Sequence, residues 1–156
     1  MPRAGPAFVI EKLRPMPAVS FDQDLPNRII IKSDLHAARD VEEQILRLVQ
    51  DLGYSRECAF AIRLSLEEAL VNAHRHGNHH DPGKKIVISY QIDRQRAVIR
   101  VSDEGPGFDP ASVPDPTCPD RICLPNGRGI MLMRSYLTEV TYNPRGNEVQ
   151  LVKERC

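Results

Sequence analysis

Apolar residues recur along this chain with two different periods, and the changes from one to the other mark out its elements. Arg28-Ile29-Ile30-Ile31-Lys32 is short and β-branched, which predicts a strand. From Leu35 the period lengthens. Val41, Ile45, Leu48, Val49 and Leu52 recur three and four apart, the stripe of an amphipathic helix that Ser33 or Asp34 caps and Gly53 stops. Ser55 starts a second helix, predicted over 56–76. Its apolar positions (Phe60, Ile62, Leu64, Leu66, Ala69, Leu70, Val71, Ala73) spread further around the axis, as on a helix covered by both a sheet and a neighbour. After Gly77 and a polar run, Lys85 to Ile92 and Ala97 to Val101 return to strand patterning about the turn Asp93-Arg94-Gln95-Arg96. A short helix over 129–137 and a last hairpin, 139–142 with 148–152 around Asn143-Pro144-Arg145-Gly146-Asn147, complete the pattern. No internal repeat is present.

Two stretches follow neither period. Residues 1–27 hold five prolines and read as an arm outside the core, because proline fixes its own backbone and restrains its predecessor. Residues 103–126 hold six, and an aperiodic insert of that length in a small domain points to a lid, about 104–126. The remainder, 28–154, is the size of one domain with one core.

Composition narrows the function classes. Hydrophobic residues make up 41% of the chain, yet no apolar run approaches the roughly 20 residues of a membrane span. Lys+Arg and Asp+Glu both number 21, so the global basic field that serves nucleic-acid binding is absent. The first ten residues lack the pattern of a secretory signal. A cytoplasmic protein with no membrane and no direct nucleic-acid partner is expected. Cys58, Cys118, Cys123 and Cys156 have neither disulfide-scaffold density nor zinc-site spacing, so reduced thiols are expected, with a bridge between Cys118 and Cys123 as the alternative under oxidation. His74, His76, His79 and His80 crowd together and raise a zinc reading. On a helix, however, His74 and His76 diverge, and no acid or cysteine completes a tetrahedral set.

Three polar signatures carry the candidate chemistry. In the second helix Glu68 and Asn72, four apart, project on one side, whereas Glu67 lies about 140° from Asn72. Glu68 is therefore the paired acid. Such a carboxylate can take a proton from an attacking hydroxyl, and an amide oxygen one turn away can join phosphate oxygens around Mg²⁺, which prefers few protein ligands. The bland alternative is a solvated helix face. The strand Val98-Ile99-Arg100-Val101-Ser102 delivers Asp103 to its end, where Gly105 and Gly107 let the backbone turn and approach a ligand. There an aspartate can accept from an exocyclic amino group, favouring adenine over guanine, or can simply begin a turn. Gly127-Arg128-Gly129 at a helix entry offers amide hydrogens and a positive charge to phosphate, or a plain hinge. Neither glycine pair fits a Walker loop or a dinucleotide fingerprint.

In this order the boxes resemble those of the ATPase superfamily shared by gyrase, heat-shock chaperones, histidine kinases and mismatch-repair ATPases (GHKL). Glu-Ala-Leu-Val-Asn-Ala at 68–73 with His76-Gly77, Asp103-Glu-Gly-Pro-Gly-Phe-Asp-Pro110 and Gly127-Arg-Gly-Ile-Met-Leu-Met133 are most similar to bacterial anti-sigma factor serine-protein kinases. The resemblance implies a two-layer α/β sandwich of the Bergerat type, with a mixed, mostly antiparallel sheet covered on one face by helices. It implies ATP with Mg²⁺, and γ-phosphate transfer to a serine or threonine of an anti-sigma factor antagonist by a protein that also binds a sigma factor and forms a homodimer. By that likeness Glu68 is the base, Asn72 the Mg²⁺ ligand and Asp103 the adenine acceptor. Gly105, Gly107, Gly127 and Gly129 are then phosphate-site walls and lid hinges. Family members usually carry a threonine where this chain has Asn147, and a separate phosphoacceptor-histidine domain is not expected, which sets the histidine kinase branch aside. A nucleotide-gated module that sequesters a regulator without efficient transfer is the alternative function, and ATP hydrolysis coupled to lid movement a third.

Overall fold

The capping and turn residues of the sequence stand where the elements change in the computed structural model, which describes residues 19–109 and 125–156. Strand β1 spans Asn27–Lys32. Asp34 then accepts the His36 N–H at 2.7 Å and starts α1, Leu35–Asp51. Gly53, at φ +81°, takes the left-handed turn beyond that helix, and Ser55 accepts the Cys58 N–H at 3.1 Å to cap α2, Arg56–Asn72. The helix continues as one π turn, Ala73–Gly77. Strands β2, Lys85–Ile92, and β3, Arg96–Asp103, form the first hairpin. Its turn is held by Asp93 Oδ1, which accepts from Gln95 and Arg96 N–H at 2.7 and 3.0 Å. Helix α3 is Pro125–Tyr136, and β4, Glu139–Tyr142, with β5, Glu148–Glu154, closes the fold.

One boundary moves. The spacing predicts the third helix from Gly129, but it begins at Pro125, where a missing N–H costs nothing because a first-turn amide has no helical acceptor. Gly127, Arg128 and Gly129 therefore lie within the opening turns of α3 rather than before it. Of the expected lid, residues 110–124 lie outside the described residues.

The sheet runs in the order β1-β2-β3-β5-β4, and each neighbouring pair is antiparallel. The expected mixed sheet is thus corrected to a wholly antiparallel one among the described residues, since both hairpins and the β3–β5 pairing reverse direction. Register places Ile86, Ile88, Ile99, Val101, Val149 and Leu151 on one face, opposite Ile45, Val49, Ile62, Leu66, Leu70 and Met133 of the helices. Each such side chain contributes about 1.5–3 kcal/mol on burial, more than a typical polar contact, so this interface fixes the helices on the sheet. Asp103, opposite Ile86, ends β3 on that same face. No helix among the described residues is long and apolar enough to cross a membrane.

The other face carries an unexpected polar seam. Arg100 is only 6% exposed and Gln150 wholly buried. Arg100 donates to Gln150 Oε1 at 2.8 Å and to the carbonyls of Gln23 and Ser20, each at 2.6 Å, while Gln150 Nε2 donates to Val19 O at 2.8 Å. The Phe21 ring lies 5.3 Å from the guanidinium carbon. Residues 19–23 are thus held against the sheet rather than standing apart as an arm, because a buried guanidinium requires acceptors and these carbonyls supply them.

The cysteines correct a second expectation. Cys58, three residues into α2, is disulfide-bonded to Cys156, 98 residues on, instead of standing reduced. Neither partner is near the other in sequence, so spacing could not reveal the pair; Cys118 and Cys123 lie outside the described residues. Arg155 fastens the same tail by donating to Gly53 O at 2.6 Å and to Arg94 O at 3.1 Å. A disulfide closing so long a loop restricts the unfolded chain strongly. Reduction, or Cys156→Ser, is expected to lower unfolding free energy by about 2–5 kcal/mol. Urea unfolding with and without reductant measures this, and a Cys156→Ser midpoint unmoved from the oxidised parent would exclude the bond.

Candidate functional site

The site is assembled where the end of α2 meets the ends of β3 and β5. Glu67 is exposed and Glu68 half-buried, as helical spacing requires if Glu68 and Asn72 share the inward side. Both face α3: a Cβ built on Gly129 would fall on Glu68 Oε1 and stand 3.0 Å from Asn72 Nδ2. The missing side chain lets the α3 backbone come this close with Glu68 in its present position. A carboxylate and an amide are thereby set side by side with the helix main chain in front of them.

The π turn then swings Gly77 onto Asp103. A Cβ on Gly77 would coincide with the Asp103 carboxyl group, and one on Gly105 would strike the Gly77 carbonyl oxygen. Gly105 N–H donates to Asp103 Oδ1 at 2.8 Å. Burial pushes the Asp103 pKa up, opposed by that N–H and by Lys84 and His79. Behind this contact Asn78, wholly buried, donates to Lys85 O at 3.0 Å and accepts the Glu104 N–H at 2.9 Å, tying the start of β2 to the end of β3.

The β4–β5 turn supplies the remaining wall. Asn143 Oδ1 accepts the N–H groups of Gly146, Asn147 and Glu148 at 2.8, 3.1 and 3.1 Å, a side chain standing in for backbone acceptors. Asn147 exchanges with Asp103: Asp103 N–H donates to Asn147 O at 3.0 Å, and Asn147 Nδ2 reaches Asp103 O at 3.4 Å. Its Oδ1 is held by Asn143 Nδ2 at 2.8 Å.

Between these parts lies a cleft of about 80 Å³. Asn72, Asp103, Gly107 and Asn147 line it with His76, Gly77, Phe108 and Tyr142 over a floor of Ala69, Ala73, Val101 and Val149. Glu68 and Gly129 meet beside Asn72, and Gly105 lies beneath Asp103. Gly127 and Arg128 contribute helix backbone in α3. Of the histidines, His76 borders the cleft, while His74 Nδ1 pairs with the Ser33 hydroxyl at 2.8 Å and its ring meets His80 edge-on at 5.1 Å. Among the described residues no three His, Cys, Asp or Glu side chains gather closely enough to hold a metal ion.

The arrangement brings a carboxylate, an amide, a carboxyl acceptor and close-approach glycines to one cleft at the covered side of an antiparallel sheet. Residues 31–153 match the histidine kinase-like ATPase domain. The chain belongs to that family. Its fold is similar to a solved structure of the RsbU and RsbW domains of Rv1364c from Mycobacterium tuberculosis, with a TM-score of 0.55 and 15% sequence identity over 83% of this chain. The match covers 32% of that longer chain, and at this identity the likeness is one of fold. No curated protein matches the sequence.

In this ATPase domain the sequence missed Phe108, Tyr142 and Asn78. Phe108 falls in the stretch that reads as a lid, Tyr142 at the end of a hairpin strand, and Asn78 in the polar run that ends the second helix. Only the strand register, which no local pattern shows, could have placed Tyr142 opposite Val149 at the cleft.

Two outcomes follow from these contacts. Gly129→Ala is expected to leave stability within about 1 kcal/mol of the parent, since Glu68 can swing aside and alanine favours helix. Gly107→Ala should cost more than that, because φ is +78° and the obstructing atom is the Arg145 backbone oxygen. Urea unfolding ranks the two, and a displaced Glu68 carboxyl carbon resonance in Gly129→Ala checks the first contact. For Asp103, a folded pKa above 3.8 means the native state holds a proton that the unfolded chain has lost. Its contribution is full below 3.8 and is lost as pH rises through the folded pKa. Asp103→Asn should therefore gain stability over the parent at neutral pH more than at pH near 3.8, read from unfolding across that range.

Proposed function

We propose that this protein is an ATP-dependent serine/threonine-protein kinase that phosphorylates an anti-sigma factor antagonist and, as an anti-sigma factor, regulates transcription by partner switching. The observation that carries the reading is the placement of the Glu68 carboxylate and the Asn72 amide together against Gly129, at the edge of a cleft whose far wall is Asp103. One group suits proton transfer and the other a hard cation, and the Asp103 end suits a base amino group.

The reading assigns roles accordingly. Asp103 accepts from the adenine amino group of ATP, with Asn147 fixing the Asp103 main chain. The α3 backbone at Gly127, Arg128 and Gly129 faces phosphate, and Gly105 and Gly107 let the loop after β3 come close. The Asn72 oxygen fits Mg²⁺, an ion satisfied by few protein ligands and several waters. Bound there, Mg²⁺ would offset phosphate charge. Glu68 orients the partner's hydroxyl and takes its proton. Positioning and charge neutralisation supply most of the rate, because phosphoryl transfer passes through a loose transition state. A cytoplasmic homodimer acting on sigma factor and antagonist completes the proposal.

A second reading keeps the cleft but makes the protein a nucleotide-gated module that sequesters its partner without transfer. Asn147 favours it, because its amide is engaged by Asn143 and Asp103 where the resembled kinases carry threonine. One experiment separates the two: incubation of the protein with γ-labelled ATP, Mg²⁺ and a candidate antagonist. Label on the antagonist's serine or threonine is expected from the parent, and Glu68→Ala should still bind ATP while losing at least about 100-fold in transfer. Equal transfer by Glu68→Ala removes the base. ATP-dependent complex without label supports the module.

A further inference from the structure

Two aromatic rings stand in the cleft wall with no part in the roles above. Phe108 follows Gly107 in the loop after β3, and Tyr142 ends β4. Their centroids are 5.0 Å apart at 74°. Their backbone supports are unusually determined. Gly107 and Gly146 both sit at φ +78°; a Cβ on Gly107 would fall on Arg145 O, and one on Gly146 would fall on Phe108 O. The loop carrying Phe108 and the turn after Tyr142 are thus locked back to back, each glycine admitting the carbonyl of the other's chain neighbour. Burial pushes the Tyr142 hydroxyl up to about 12, with Arg134 opposing and Glu68 and Asp103 adding to the rise, so the ring stays neutral at physiological pH.

The rest of the apolar lining is small or aliphatic: Ala69, Ala73, Val101 and Val149. A carboxyl at Asp103 reads only one edge of a ring. Faces of heteroaromatic rings are held best by aromatic side chains, and that contact tolerates different bases because each has a π face. We propose that Phe108 and Tyr142 form a base-stacking wall, taking the face of a purine while Asp103 takes its edge. They then supply affinity for the nucleoside part of the substrate. This rests on the nucleotide reading given above.

The chain has four tyrosines and no tryptophan, and Tyr142 alone of the four lines the cleft, so comparison with Tyr142→Phe isolates the emission that the cleft contributes. The full chain is titrated with adenosine, ADP and ATP with Mg²⁺, following emission and heat. All three should bind the parent and quench its emission. Tyr142→Leu and Phe108→Leu should weaken all three by a common factor of roughly ten, because the rings touch the part that the ligands share. Tyr142→Phe, which keeps the ring and the packing, should retain affinity but lose most of the quench. Unchanged affinities in both leucine variants, a loss confined to ATP, or an undiminished quench in Tyr142→Phe would overturn the wall while leaving the nucleotide reading intact. A parent that binds none of the three overturns both.

Discussion

The constraint on which the cleft depends is the approach of the α2 end to the β3 end, where Gly77 lies against the Asp103 carboxyl group and Gly105 lies against the Gly77 carbonyl. Two absent side chains make room for the meeting of two stretches of backbone. The approach is imposed from elsewhere: the apolar faces of α1 and α2 seat on Ile86, Ile88, Ile99 and Val101, and the last turn of α2 is carried to the strand ends by that packing. The π turn at Ala73–Gly77 adds the extra residue that rotates Gly77 toward Asp103 while Asn72 keeps its helical direction. The Asn72 and Asp103 ends of the cleft consequently belong to one packed unit, with the buried Asn78 amide as its cross-brace.

Anchoring is placed far from the chemistry. At its first turn α2 is bonded through Cys58 to Cys156, and Arg155 caps the carbonyls just before it. At its other end it presents Glu68 and Asn72. On the outer face of the sheet Arg100 and Gln150 clamp residues 19–23, which stiffens β3 and β5, the strands that lead to Asp103 and from Asn147. Buried ionic groups of this kind contribute less to net stability than equal apolar packing, yet they accept only one arrangement of partners. Strand register at the site is what that selectivity protects.

Much of this was legible before any coordinates, and for identifiable reasons. The period of Val41, Ile45, Leu48, Val49 and Leu52 gave α1, and Asp34, Gly53 and Ser55 marked its edges, because capping is local chemistry. Glu68 with Asn72 was likewise readable from helix angle alone. What failed to show was long-range: the Cys58–Cys156 bond, the Arg100–Val19 segment and the reciprocal glycines at 107 and 146 each join residues tens of positions apart. Pro125 misled in the opposite direction, since proline inside a polar stretch signals a break but at a first helical position it marks a start. The two hairpins showed their own strand direction, but the β3–β5 pairing did not, because the strand pattern of β5 is the same whichever way it pairs.

The physical cost of the site argues that it is built for a ligand. Asp103 sits half-buried with its pKa raised, and the Gly105 N–H is the largest force opposing that rise, so its ionised form is under-compensated by the protein. His79 and His80 both take left-handed backbone, at φ 52° and 61°, next to the turn that positions Gly77. Neither feature strengthens the core, whose stability comes from aliphatic contacts elsewhere. A carboxyl short of donors and a backbone held in a costly conformation are tolerated where a bound group returns the missing hydrogen bond. On the proposed nucleotide reading, an amino group of the base returns that bond at Asp103 while its ring lies against Phe108 and Tyr142, which stand in edge-to-face contact with each other.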